Sequence, residues 1–191
     1  VPIDKNLSSK YLAQNNNEED ELTHGISDYL VANGCYEITT NSLTKPEYAD
    51  WLEGMSNDTS VYILNKLSED HEVMRQSLLF SGLEVIKRNI NRKAENLKIF
   101  EFGKTYHKVE GEYVERKVLS VWLTGQKKEE SWFEKSSKLE FQNLSTLVLG
   151  ILEKTGLKFK TQAKTTNAQY SAGLDLSCLL YTSDAADEED S

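Results

Sequence analysis

The chain has 191 residues, of which 38% are hydrophobic and 28% are charged, and its formal net charge at pH 7 is −9. These values are typical of one soluble globular domain, and an acidic chain is a poor candidate for extensive contact with a nucleic-acid backbone. No apolar run reaches the length of a membrane span, so no membrane contact is predicted. No secretory signal is visible at the start, and because the first residue is Val1 rather than Met we expect a segment of a longer protein. The two cysteines, Cys35 and Cys178, lack metal-ligand spacing, which favours a reducing, cytoplasmic location.

The first part of the chain predicts a connector, a helix and a strand. Residues 1–18 are polar and are interpreted as a connector from a preceding domain. Apolar residues then recur at helical spacing until Asn33 and Gly34, which predicts a helix over Glu21–Asn33, and an alternating pattern predicts a strand directly after it. Six apolar residues of this helix and strand are candidates both for the core and for a subunit interface: Leu22, Ile26, Tyr29, Leu30, Tyr36 and Ile38.

The middle of the chain alternates helical and strand patterns. Lys45-Pro46-Glu47 predicts a short helical turn. The further predicted elements are a strand at Val61–Leu64, a helix from Ser77 to Arg92, a strand from Leu97 to Tyr106, its antiparallel partner from Val118 to Leu123, a helix from Leu139 to Lys154, and a strand from Leu157 to Thr161. Leu79, Leu83, Ile86 and Ile90 form the expected apolar stripe of the Ser77–Arg92 helix. Hairpins interrupted by helices favour an α+β domain built on an antiparallel sheet.

Residues 178–191 differ from the rest of the chain. They carry five acids and no bases. Their sequence looks like the translation of a transposon-type sequencing adapter, which predicts a disordered tail without an evolved function. The alternative is a genuine acidic, disordered terminus.

Several separated motifs identify a family. The stretches MRQSLLFSGLEVI (74–86), NINRK (89–93) and FEFGK (100–104) occur in order, with NSLTKP (41–46) before them and GLDL (173–176) after them. Together they resemble the β subunits of bacterial phenylalanine–tRNA ligases. The resemblance implies a class II aminoacyl-tRNA synthetase-like antiparallel sheet flanked by helices, over residues 19–177 and truncated at its C-terminal side.

The resemblance also implies partners and cofactors. In that family the α subunit carries catalysis, and both subunits assemble into an (αβ)₂ heterotetramer that attaches phenylalanine to its tRNA. The whole enzyme would use ATP and Mg²⁺, and tRNA would be bound through other domains of the full subunit. No cofactor and no metal is expected on this segment.

One position tests whether the segment is itself a catalyst. Active class II enzymes carry an aromatic–Arg–x–Glu group on the sheet, whose guanidinium holds the ATP α-phosphate. The resemblance places Tyr106, His107, Lys108 and Val109 there. Because His107 cannot form a bidentate fork and Val109 has no carboxylate, we predict a non-catalytic scaffold. The alternatives are an active ATP-dependent adenylating module and a free-standing interaction module.

For the remaining chemistry-bearing residues the sequence favours structural roles. The histidines (His24, His71 and His107) are scattered, which argues against a metal site. Glu101 and Glu115 are a weak candidate acid–base pair compared with solvated or ion-paired carboxylates. The arginines Arg75, Arg88 and Arg92 could bind phosphate, but ion pairing with Glu84 or other acids is favoured. Trp51, Trp132 and Phe133 favour packing or a subunit contact over base stacking.

Overall fold

The computed structural model describes residues 17–65, 68–128, 137–157, 159–164, 170–171 and 173–178. The helices are α1 (Asn17–Ala32), α2 (Leu79–Ile90) and α3 (Phe141–Thr155), and 3₁₀ turns cover Pro46–Asp50 and Asn57–Thr59. The strands are β1 (Tyr36–Glu37), β2 (Leu43–Thr44), β3 (Val61–Tyr62), β4 (Val73–Met74), β5 (Leu97–Val109), β6 (Glu112–Thr124), β7 (Gln126–Lys128), β8 (Ser137–Lys138), β9 (Phe159–Lys164) and β10 (Leu174–Cys178). No helix in the described ranges is long and apolar enough to cross a membrane.

The central sheet consists of β1, β5 and β6 in that order. Strands β5 and β6 form a long antiparallel hairpin whose pairing runs from Leu97 opposite Thr124 to Val109 opposite Glu112. The two turn residues, Glu110 (φ 52°) and Gly111 (φ 93°), both have positive φ, as a tight hairpin with right-handed strand twist requires. The short strand β1 runs parallel to β5, so the sheet is not purely antiparallel as the sequence predicted.

The two faces of this sheet are covered by different helices. Strand side chains alternate between the faces, so Phe100 and Ile99 point in opposite directions. Phe100 packs with α1 and α3 in one core cluster that is completed by Ile26, Leu30, Cys35 and Leu147. Ile99 packs with Leu78 and Trp122 in a second cluster beneath α2. The sheet is therefore the middle layer of three, which confirms the predicted α+β class.

Helix α2 packs through only part of the predicted stripe. Ile86 packs against the second cluster, whereas Leu83 and Ile90, two of the expected core residues, are exposed. The buried positions are Leu78 and Gly82, where a Cβ atom would overlap the Trp122 ring. A glycine contributes no hydrophobicity to a pattern, so the sequence signal did not include Gly82 in the contact face.

Most other differences concern element ends. Helix α1 begins at Asn17, inside the predicted connector, and the strand predicted from Tyr36 onward has only two residues. The β5–β6 hairpin extends beyond the predicted ends of both strands. Cys178, the first residue of the predicted tail, lies in β10, where it pairs with Phe159. The remaining connector and tail, residues 1–16 and 179–191, lie outside the described residues.

Candidate functional site

The position that was compared with the ATP-binding group lies at the end of β5. Tyr106 and His107 are half-buried, whereas Lys108 and Val109 are exposed. Burial and the neighbouring Arg116 guanidinium lower the pKa of His107 below its usual value, so its imidazole is neutral at pH 7. A neutral ring at His107 does not supply the bidentate donors with which an arginine holds a phosphate. These four residues therefore lack both the arginine and the carboxylate of the group described for active enzymes.

A buried ion pair occupies the same face of the sheet. Arg75 Nη1 lies 2.9 Å from Glu101 Oε1, and both residues are almost completely buried. The guanidinium also donates from Nε to the carbonyl of Lys104 (2.9 Å) and from Nη1 to the Thr40 hydroxyl (2.6 Å). Thr40 in turn donates its hydroxyl to Glu101 Oε2 (2.7 Å) and its N–H to Oε1 (3.2 Å). The cluster ties the loop after β1, strand β4 and strand β5 together.

The cluster packs directly on the middle of β5. A Cβ atom built on Gly103 would lie 2.6 Å from Arg75 Nη2 and 2.7 Å from Leu78 Cδ2. Both contacts are too close for any side chain larger than hydrogen, so Gly103 allows the guanidinium to lie directly on the strand. The ion pair is thus a packed structural element, and its charges are satisfied within the protein.

The two carboxylates that were considered as an acid–base pair are separated by the sheet. Glu101 pairs with Ser120 across the hairpin, whereas Glu115 pairs with Tyr106, which places the two side chains on opposite faces. Glu115 forms its own ion pair with Lys104 at 2.5 Å. The acid–base hypothesis is therefore wrong, and ion pairing, the favoured alternative, accounts for both groups.

A polar cleft of about 570 Å³ lies between α2 and the loops that precede it. Its charged lining includes Lys45, Asp70, Glu84 and Arg88, and Lys45 forms an ion pair with Asp70 at 3.0 Å. Tyr48, which is buried behind the cleft, donates a hydrogen bond to Glu84. Burial and this hydrogen bond raise the pKa of Tyr48 to about 12. Sequence reasoning missed the cleft because its residues come from three separate segments.

The six candidate core or interface residues separate into two groups. Ile26 and Leu30 are buried in the core, and Tyr29 and Ile38 pack against the two clusters. Leu22 and Tyr36 are 47% and 75% exposed. Val31, which the sequence pattern did not single out, is 57% exposed and lies at the end of α1, five residues before Tyr36 in the sequence. The exposed apolar side chains of this region are therefore Leu22, Val31 and Tyr36, whereas Ile26 and Leu30 belong to the core.

The other weighed residues have local roles. His24 contacts the carbonyl of Asp20 and His71 contacts the Ser68 hydroxyl, and no group of three potential metal ligands occurs among the described residues. Trp51 packs in a tilted arrangement on Tyr48, with ring centroids 5.2 Å apart. Trp132 and Phe133 lie outside the described residues.

Comparison with known proteins identifies the family. Residues 3–180 match the model of the phenylalanyl tRNA synthetase beta chain CLM domain. The phenylalanine–tRNA ligase β subunit of Bacteroides thetaiotaomicron is 38% identical over 167 residues, which are 82% of this chain and 20% of that protein. The corresponding subunit of Carboxydothermus hydrogenoformans is 35% identical over 164 residues, covering 83% of this chain and 19% of that protein. The chain thus spans about one fifth of the length of these relatives.

Solved structures support the fold. A pyrrolysyl tRNA synthetase from Desulfitobacterium hafniense matches with a TM-score of 0.57 at 19% identity, covering 83% of this chain and 54% of that one. An ATP phosphoribosyltransferase regulatory subunit/histidyl-tRNA synthetase from Bacillus halodurans matches with a TM-score of 0.54 at 16% identity, covering 78% and 38%. These neighbours confirm the class II synthetase-like fold. With the family match over most of its length, the chain belongs to the phenylalanyl-tRNA synthetase β-chain CLM domain family.

Proposed function

We propose that this chain is a non-catalytic, synthetase-like module of a phenylalanine–tRNA ligase β subunit. It would present a surface to the α subunit within an (αβ)₂ assembly in the cytoplasm. The whole enzyme would attach phenylalanine to its tRNA with ATP and Mg²⁺, and tRNA would be held through other domains of the full subunit. Family membership supports this assignment, and the non-catalytic role follows from the residues of the sheet.

The non-catalytic role is supported chiefly by the side chains on one face of β5. The face has a neutral, half-buried His107 where active enzymes place an arginine. Its buried carboxylate is neutralised by Arg75 at 2.9 Å and is covered by packed side chains. A transition state with developing charge needs preorganised, available donors, and losing one such donor costs about 3–4 kcal/mol of stabilisation. A face whose buried charges are already paired with each other supports a scaffold.

The proposed partner surface lies at the junction of α1 and β1. Tyr36 is exposed on the strand that forms one edge of the described sheet, and Val31 is exposed on the last turn of the preceding helix. An exposed tyrosine beside an aliphatic side chain is typical of the anchors of protein interfaces, because its ring buries a large area at a small entropic cost. Leu22 offers a second contact at the beginning of the helix.

Co-expression with the α subunit of a related Bacteroides enzyme tests the proposal. We expect the α subunit to co-purify with this chain, and Tyr36→Asp to weaken association at least about tenfold, as expected for a lost aromatic anchor. Tyr113→Asp is the matched control, since Tyr113 is 72% exposed but lies near the tip of the β5–β6 hairpin. Failure of the wild-type chain to co-purify would contradict the scaffold role.

ATP–pyrophosphate exchange separates the scaffold from an adenylating enzyme. The purified chain, without the α subunit, is incubated with ATP, phenylalanine and labelled pyrophosphate. We expect no exchange above that of a sample without protein. Exchange that depends on the chain would establish an active site and refute the non-catalytic assignment.

A further inference from the structure

The ladder between β1 and β5 is continued by a side chain. Its last backbone hydrogen bond runs from the N–H of Ile38 to the carbonyl of Phe100 (2.8 Å). In parallel strands alternate residues bond to the same neighbour, so the next N–H directed at β5 is that of Thr40. A regular ladder would bring this N–H to the carbonyl of Phe102. Instead it donates to the side-chain carboxylate of Glu101, at 3.2 Å from Oε1. A carboxylate therefore takes the place of a backbone acceptor where the regular pairing ends.

This carboxylate is fixed by groups that lie outside β1. Arg75 Nη1 lies 2.9 Å from Glu101 Oε1, and the guanidinium is itself anchored on β5 through the carbonyl of Lys104. The Thr40 hydroxyl lies between the two charges, since it accepts from Arg75 Nη1 (2.6 Å) and donates to Glu101 Oε2 (2.7 Å). Hydrogen bonds to charged groups are about twice as strong as those between neutral groups. We call Thr40, Arg75 and Glu101 the clasp.

The clasp lies beside the surface proposed for the α subunit. Tyr36, with its side chain 75% exposed, comes four residues before Thr40 on the same extended segment. On the helix side, the segment is anchored at the buried Cys35, whose N–H donates to the carbonyl of Leu30 (3.0 Å). The Tyr36 ring itself lies in solvent between these two anchors. Its orientation therefore depends on the strand backbone that the anchors hold.

We infer that the clasp positions Tyr36 for the α subunit, a role that rests on the proposed function and goes beyond stabilising the fold. In the closed state β1 lies on β5 and presents Tyr36. In the open state residues 36–41 leave β5 while the β5–β6 hairpin stays intact. A two-residue ladder has few hydrogen bonds to break, so this opening can occur without global unfolding. Only the closed state presents the surface, so the affinity for the α subunit is reduced in proportion to the closed fraction.

Hydrogen exchange of backbone amides tests whether the clasp holds β1. Thr40→Val keeps the size of the side chain and the direct contact between Arg75 and Glu101, but it removes the bridging hydroxyl. We expect the Ile38 amide to exchange at least about tenfold faster, as for the loss of one hydrogen bond to a charged group, while the amides of the β5–β6 pairing keep their wild-type rates. Thr40→Ser retains the hydroxyl and should restore the protection of the Ile38 amide.

Binding of the α subunit tests whether the clasp acts through the proposed partner surface. Thr40→Val should weaken the association at least about threefold, and Thr40→Ser should restore it. Tyr36→Asp removes the aromatic anchor directly. Adding Thr40→Val to Tyr36→Asp should cause little further loss of affinity, because the clasp acts on the residue that is already replaced. A general loss of stability would instead add to the effect of Tyr36→Asp.

Thr105→Val is the matched control for the loss of a threonine hydroxyl. Thr105 is buried and lies on the same face of β5 as Glu101. The hydrogen bonds that hold residues 38–41 do not involve it. The Thr105→Val variant should therefore keep the wild-type exchange rate of the Ile38 amide and the wild-type affinity for the α subunit.

The outcomes of the two measurements are distinguishable. An unchanged exchange rate of the Ile38 amide in Thr40→Val, or an equal rise over all amides of the sheet, would overturn the inference. Additive effects of Thr40→Val and Tyr36→Asp on binding would overturn it as well. Normal binding by the wild type with unchanged affinity in Thr40→Val would refute the positioning role alone. Absence of binding by the wild-type chain would refute the proposed function.

Discussion

The buried Arg75–Glu101 pair allows a quantitative test of what holds the sheet to its loops. At 2.9 Å and an effective dielectric constant of 20, the attraction between the two charges is about 6 kcal/mol. Much of this is offset by the desolvation of both groups, so the net value of the pair is small. Removing one partner is different, because it leaves a charge that is buried and uncompensated. We expect Arg75→Met and Glu101→Leu each to lower the free energy of unfolding by about 3–5 kcal/mol.

The double variant provides the decisive comparison. Arg75→Met with Glu101→Leu removes both charges and leaves mainly the Thr40 N–H and hydroxyl without their acceptor, at a cost of about 1–3 kcal/mol. The double variant should therefore be more stable than either single variant. Urea unfolding followed by tryptophan fluorescence measures all four proteins, since Trp122 lies on the same sheet face. Additive losses, or a single-variant loss below about 1 kcal/mol, would refute the reasoning.

Two other predictions concern the close packing of α2 and the cleft beside it. Gly82→Ala should destabilise the chain by about 1–3 kcal/mol in urea unfolding, because the added methyl group overlaps the Trp122 ring. Gly25→Ala, in an open position of α1, should stabilise the chain by up to about 1 kcal/mol. The reverse order of stabilities would contradict the packing of Gly82 against Trp122. Burial and the Glu84 hydrogen bond raise the pKa of Tyr48 to about 12, above the value of about 10 in the unfolded chain. The contribution of the protonated Tyr48 to the free energy of unfolding is therefore complete below pH 10 and is lost as the pH rises to 12. Between about pH 10 and pH 12 the free energy of unfolding should fall by up to about 2 kcal/mol more for the wild type than for Tyr48→Phe. If the two proteins lose stability equally over this pH range, the pKa assigned to Tyr48 is refuted.

The sequence predicted the elements that rest on local chemistry. The Pro46–Asp50 turn begins where Lys45-Pro46-Glu47 predicted it, and the helix predicted to end at Lys154 ends at Thr155, where Gly156 caps it with φ 69°. Motif order also identified the family, because several separated motifs cannot match by chance in one register. These predictions depend only on short segments of the sequence, so they hold without knowledge of the tertiary contacts.

The failures involve contacts between distant segments. The packing of α2 depends on Trp122, forty residues beyond Gly82. The ion pairing favoured for Arg75 is confirmed, but its partner Glu101 lies on a different element, β5. The sequence could not separate interface residues from core residues. An apolar stripe predicts that its residues are buried, but it does not show whether the same chain or a partner covers them.

The β5–β6 hairpin also implies an order of assembly. Its two strands are joined by a two-residue turn, so their pairing closes a minimal loop and can form within microseconds. The pairing of Tyr36 with Ile99 instead closes a loop of about sixty residues and yields only a two-residue ladder. We therefore expect the hairpin to nucleate folding, with α1 and β1 docking late. The surface proposed for the α subunit would then be completed only in the last folding step. Binding of the α subunit would therefore be coupled to the docking of α1 and β1 on the hairpin.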